Sequence, residues 1–69
     1  MTSSTELKLK ENIKKYREKL KISQEKLSEK ACVSPDYISL IERGKRTPSL
    51  KRLCAIAKAL DVEPYKLLM

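Results

Sequence analysis

The stretch that decides the fold is SQEKLSEKACVSPDYISLIERGKRTPSL, residues 23–50. Ser23 can cap a helix, and Glu25 falls in its first turn, where the helix dipole favours an acid. Leu27 and Ala31 mark the buried side, which predicts a short helix over 24–31. Ser34-Pro35-Asp36 is a second start: a serine cap, proline at the first helical position, and an acid in the first turn. That helix is predicted over 35–43 and is ended by Gly44, the only glycine in the chain, at the position where a left-handed residue closes a helix. Only Cys32, Val33 and Ser34 separate the two helices, too few for them to lie antiparallel side by side, so they must cross steeply. If Ile38 and Ile41 face inward with Leu27 and Val33, then Pro35, Asp36, Ser39, Leu40 and Arg43 face outward.

Upstream, Leu9, Ile13, Tyr16 and Leu20 recur on one helical face, and Ser3 and Glu6 have capping-box spacing. These predict a first helix at about 6–20, ringed by lysines, with residues 1–5 flexible. Downstream, Thr47-Pro48 repeats the cap-then-proline signal, and Leu50, Leu53, Ala57 and Leu60 predict a fourth helix at about 49–60. Glu63-Pro64 starts a last short helix carrying Leu67 and Leu68. No segment alternates strictly, and there is no repeat or linker. The expected architecture is all-α: five short helices forming one domain over residues 1–69, with a helix-turn-helix at about 24–43.

In 69 residues there is room for one small core, and without Phe or Trp it must be mainly aliphatic. Lys and Arg number 16 against 9 acids, a net +7. Such a field attracts polyanions, nucleic acid first and anionic lipid second, although a solvated basic surface would look the same. Cys32 and Cys54 sit among apolar residues, with no His and no CxxC, so no metal site is expected and both read as reduced small hydrophobes. No apolar run approaches membrane-spanning length, and the start lacks a signal-like apolar region, which points to a cytoplasmic protein. Enzyme chemistry has no support: there is no Gly-rich phosphate loop and no nucleophile–base pair, and no cofactor is expected. The lysines of the first helix are better read as a solvent face than as a membrane-binding one.

Residues 23–30, Val33-Ser34, Tyr37-Ile38-Ser39 and the run IERGKRTPSL at 41–50 together resemble the repressor/Cro-type (XRE-like) helix-turn-helix family of bacterial and phage regulators. The resemblance covers roughly residues 13–68. Within it, restriction-modification controller proteins and small phage or plasmid repressors are equally compatible. It implies five helices with the third in the major groove of double-stranded DNA. It also implies that Gln24, opening the second helix beside Ser23, binds a phosphate and braces the third. Ser34, Pro35, Asp36, Ser39 and Leu40 take the groove-facing positions. Of these, Ser34 can cap or touch a phosphate, Asp36 can accept from a cytosine amine or complement the dipole, and Leu40 can meet a thymine methyl. Tyr37 can reach a phosphate or pack on the second helix, the phosphate being slightly favoured. Arg43, Lys45 and Arg46 lie along the backbone, with Lys51 and Arg52 as weaker candidates. Arg17 and Glu42 match a structural ion pair joining the first helix to the end of the third.

Three positions depart from the pattern. Cys32 stands where the motif has glycine in a left-handed turn, and Ser28 where it has alanine. Pro35 removes a side-chain donor from the reading face, so specificity leans on shape and phosphate register. The resemblance further implies a homodimer on a pseudo-palindromic operator; the apolar tail Tyr65, Leu67, Leu68 and Met69 supplies candidate interface residues, unless it packs back on the core of its own protomer. No small-molecule effector is expected. The competing reading is a protein-interaction module, antitoxin-like or adaptor, that uses the same fold without DNA.

Overall fold

Three serines and four left-handed residues set where the helices begin and end. The structure, a computed structural model, describes residues 4–69. Its elements are α1 (Ser4–Lys19), α2 (Gln24–Ala31), α3 (Pro35–Glu42), α4 (Leu50–Ala59) and a 3-10 helix (Pro64–Leu68). The expected five helices are thus four α-helices and one 3-10 turn. Ser3 of the expected capping box lies outside the described residues, while Ser4 and Thr5, expected to be flexible, are already helical.

The starts of α2, α3 and α4 use the same device. The hydroxyls of Ser23, Ser34 and Ser49 accept from the backbone N–H of Lys26, Tyr37 and Arg52 at 2.9, 3.2 and 3.3 Å. Each satisfies one of the donors that a helix start leaves open. Ser49, not Thr47, is therefore the cap of α4. Pro48 packs inside the molecule just ahead of it, and α4 buries Leu53, Ile56 and Ala57, with Leu60 just beyond its end, in the core.

The ends of the four α-helices also share one device. Lys21, Cys32, Gly44 and Asp61 have φ of 59°, 59°, 74° and 60°. At each, the N–H of the left-handed residue and that of the residue after it turn back to the last helical carbonyls, as in Cys32 to Glu29 at 3.3 Å and Val33 to Ser28 at 3.0 Å. This is the Schellman closure. The residue following the left-handed one is Ile22, Val33 and Val62 in three cases, and each packs against the core. Three of the four left-handed positions carry a Cβ, at a cost of about 1 kcal/mol each relative to glycine.

One core joins these elements. Ile13, Leu27, Ile38, Ile41, Ile56, Leu60 and Leu67 are fully buried, each stabilising the fold by about 1.5–3 kcal/mol. Helix α2 packs on both α3 and α4, and α1 packs on α3 and the C-terminal turn. Two expected core positions fall outside: Leu20 is 45% exposed and Leu50 76% exposed. Both lie where helical periodicity continues but no neighbouring helix covers the face. Cys32 and Cys54 are free, as a reduced state requires, but both are exposed rather than sheltered among apolar residues.

The C-terminal turn is fastened by a residue the sequence reading passed over. The Asn12 amide donates to the carbonyls of Leu67 and Met69, both at 3.0 Å, and at longer range to Lys66. Leu67 is consequently completely buried in its own protomer, which removes it from the candidate interface residues.

Replacing Cys32 by glycine relieves the Cβ strain of one left-handed position. Thermal and urea unfolding of Cys32→Gly are expected to show a gain of about 0.5–1 kcal/mol, a rise in Tm of several degrees for a domain of this size. An unchanged or lowered Tm would contradict the strain assigned to this turn.

Candidate nucleic-acid interface

Glu42, the last residue of α3, is the junction of the site. Arg17 of α1 donates to both of its carboxylate oxygens, Nε to Oε2 at 2.7 Å and Nη2 to Oε1 at 3.0 Å. Gln24, opening α2, donates its amide to Oε1 at 3.0 Å. A third Arg17 nitrogen, Nη1, donates to the Ile22 carbonyl at 2.9 Å in the α1–α2 turn. The carboxylate side chain is 4% exposed and the guanidinium 13%, so water competes little. Planar two-point pairing of this kind fixes direction as well as distance. The Glu42 hydrogen bond holds the Arg17 guanidinium above its ordinary pKa, against the opposing effect of burial. A raised pKa is a stabilisation present at all lower pH and lost only above the ordinary arginine range, so no accessible pH loosens the pair from the arginine side. The amide of Gln24 thus already braces α3 through Glu42.

From this anchor α3 runs back to its exposed N-terminus. Ser34 caps it, and Pro35 and Asp36 are exposed on its first turn. Ser39 and Leu40 are half-buried, so Leu40 is less prominent than its expected outward position implied. Ser28 on α2 is buried against this region, and its hydroxyl donates to the Glu25 carbonyl at 2.6 Å. The exchange of alanine for serine is absorbed by that bond to the preceding turn.

Beyond Glu42, Arg43 caps the helix, Gly44 turns the chain, and Lys45 and Arg46 extend into the loop; all are exposed. A Cβ at Gly44 would come within 3.1 Å of the Lys10 side chain, in addition to its φ of 74°. Tyr37 is only 8% exposed, and its ring lies under two guanidinium groups, Arg46 at 5.0 Å and Arg52 at 5.1 Å. The tyrosine serves as a platform that gathers a cation from the loop and one from α4. No helical spacing connects positions 37, 46 and 52, so only the tertiary fold brings Arg52 to the site.

The geometry therefore presents a short helix with its N-terminal face open, a cationic loop after it, and a buried ionic brace behind it. The helix-turn-helix family profile matches residues 13–67. The chain belongs to that helix-turn-helix family. It is 41% identical over 69 residues to the control protein C.BamHI of Bacillus amyloliquefaciens, covering 99% of this chain and 85% of that one. Among solved structures, it resembles the restriction-modification controller protein C.AhdI from Aeromonas hydrophila with a TM-score of 0.88. That match has 31% identity and covers 94% of this chain and 98% of that one. It also resembles the DNA-binding domain of the P22 c2 repressor, with a TM-score of 0.84 and 40% identity over 87% of this chain and 79% of that one. The family is one of DNA-binding transcription regulators and not of enzymes. Among the described residues, no helix is long and apolar enough to cross a membrane.

Removing Glu42 leaves the Arg17 guanidinium in a nearly closed site without its counter-charge. Glu42→Ala is expected to cost about 3–5 kcal/mol, read as a lowered midpoint in urea unfolding followed by circular dichroism. A loss below about 1 kcal/mol, the range of a surface pair, would contradict the bracing role.

Proposed function

We propose that this helix-turn-helix regulator binds duplex DNA as a cytoplasmic homodimer, placing α3 of each protomer in the major groove of a pseudo-palindromic operator. The observation that carries this reading is the exposed N-terminal face of α3, held from behind by Arg17, Gln24 and Glu42 and flanked by Arg43, Lys45 and Arg46. A helix of this kind fits the major groove, with its first residues at base edges. The serine-capped helix starts and the loop cations supply the phosphate contacts that fix register. Ser23 and Gln24 lie at the start of α2, where the free donor of the Gln24 amide and the helix N-terminus both favour phosphate. Arg46 and Arg52, both held at the Tyr37 ring, add two cations to this surface for the phosphate backbone.

The reading face itself carries little hydrogen-bonding chemistry. Pro35 has no donor, Asp36 can accept from a cytosine amine, Ser39 discriminates weakly, and Leu40 offers apolar contact to a thymine methyl. Selectivity therefore comes mainly from register, DNA shape and the spacing of two half-sites. Tyr65, Leu68 and Met69 leave apolar side chains 58%, 40% and 68% exposed at the C-terminal end. A second copy of the chain covering them gives the dimer its interface.

Binding of selected and random duplexes as a function of salt tests this reading. Log K is expected to fall linearly with log salt, and Lys45→Ala/Arg46→Ala, which removes two phosphate contacts from each protomer, to reduce the slope by roughly 4 for the dimer while weakening all sequences alike. Leu68→Glu is expected to abolish the second half-site footprint without unfolding the chain. No duplex binding at low salt, or loss for one sequence only, would overturn the assignment.

A further inference from the structure

A second surface stands apart from the open face of α3. The end of α2, the α2–α3 turn and one side of α4 enclose an open groove of about 750 Å³. Its floor is apolar, made of Ala55 and Ala59 of α4 with Val33 and its neighbours in the turn. Every charged residue lining it is a cation: Lys30 on one rim, and Lys51, Arg52 and Lys58 on the other. All four cations are exposed. We propose that this groove docks an acidic, amphipathic segment of a second protein.

The shape and the charge pattern select that occupant. Lys51 and Lys58 are seven residues apart on one helix, which separates them by about 10 Å along its axis. That spread is too wide for one anionic group. It matches carboxylates about two turns apart on a helix lying in the groove, with the helix's apolar face against the alanine floor. A DNA backbone fits less well, because phosphates gain nothing from an apolar floor. Of the four cations, only Arg52 also belongs to the Tyr37 cluster. Lys51 is a weaker phosphate candidate, but Lys30 and Lys58 neither brace α3 nor extend its cationic loop. The basic rim gives an acidic segment both attraction at a distance and a fixed register. A segment seated there leaves the first turn of α3 and the Lys45–Arg46 loop open, so the chain can hold DNA and a protein at the same time, with Arg52 at the border of the two surfaces.

The probe is a fluorescein-labelled, capped helical peptide of about four turns, with leucines along one face and glutamates on the rest. Its control has the same composition with the leucines scattered around the helix. Anisotropy is measured at about 0.15 M salt, where surface charges more than about 8 Å apart are largely screened. The amphipathic peptide is expected to bind roughly tenfold or more tightly than the control. Lys30→Gln/Lys58→Gln and, separately, Ala55→Glu are expected to weaken it by a similar factor. The lysine variant is expected to keep duplex binding within about threefold of the parent chain, and a saturating duplex to leave the peptide bound. Circular dichroism of each variant verifies that it is folded, and the lysine pair, being exposed, keeps the test open if Ala55→Glu is not. Equal binding of the two peptides would overturn the proposal, as would unchanged binding by the lysine variant. Displacement of the peptide by duplex, with parallel loss of both ligands in the variant, would instead assign the groove to DNA. Because peptide and duplex are read separately, failure of this surface leaves the DNA assignment standing, and the converse also holds.

Discussion

The carboxylate of Glu42 is the point on which the arrangement of the helix-turn-helix depends. It collects two donors from Arg17 and one from Gln24, so three helices meet at one buried charge. Apolar packing of Ile38 and Ile41 holds α3 against the core but is only weakly directional. The ionic brace fixes the end of α3 relative to α1 and the start of α2. With that end held, the open first turn of α3 and the loop after Gly44 take a defined relation to each other. A DNA-reading surface needs that relation, because its contacts have to match phosphate spacing and base edges simultaneously.

The chain tolerates local backbone strain to keep its helices short. Four Schellman closures end four helices, and only one of them uses glycine. The closures place Ile22, Val33 and Val62 back onto the core, so each turn gains apolar contact against its strain. The Asn12 amide does the corresponding work at the C-terminus, fastening a 3-10 turn that has too few residues to hold itself. It is this clasp that draws Leu67 inward and leaves Tyr65, Leu68 and Met69 outside.

Features written in local chemistry were legible in the sequence. The bounds of α2 follow from Ser23 and Cys32, and the start of α3 from Ser34-Pro35, because caps act within one turn. The family resemblance led to Arg17, Gln24 and Glu42, which spacing alone does not join. Features set by neighbouring elements were not legible. Leu20 and Leu50 continue a helical period yet face solvent, since periodicity marks a face without saying how far the neighbouring helices extend. Tyr37 could be placed on either of two roles, and its commitment to Arg46 and Arg52 depends on α4 folding beside it. The exposure of both cysteines was hidden for the same reason: apolar neighbours in sequence are not neighbours in space.

We propose that the braced α3 and the loop after it, rather than the lysine-rich α1, form the nucleic-acid surface. Backbone amide shifts in an isotope-labelled chain, followed as a duplex selected from a random pool is added, test this most directly. The largest changes are expected at Gln24, at residues 34–40 and at residues 43–46, with little change at the exposed Lys8, Lys14, Lys15 and Lys19. Changes centred on those lysines of α1, with residues 34–40 unmoved, would contradict it.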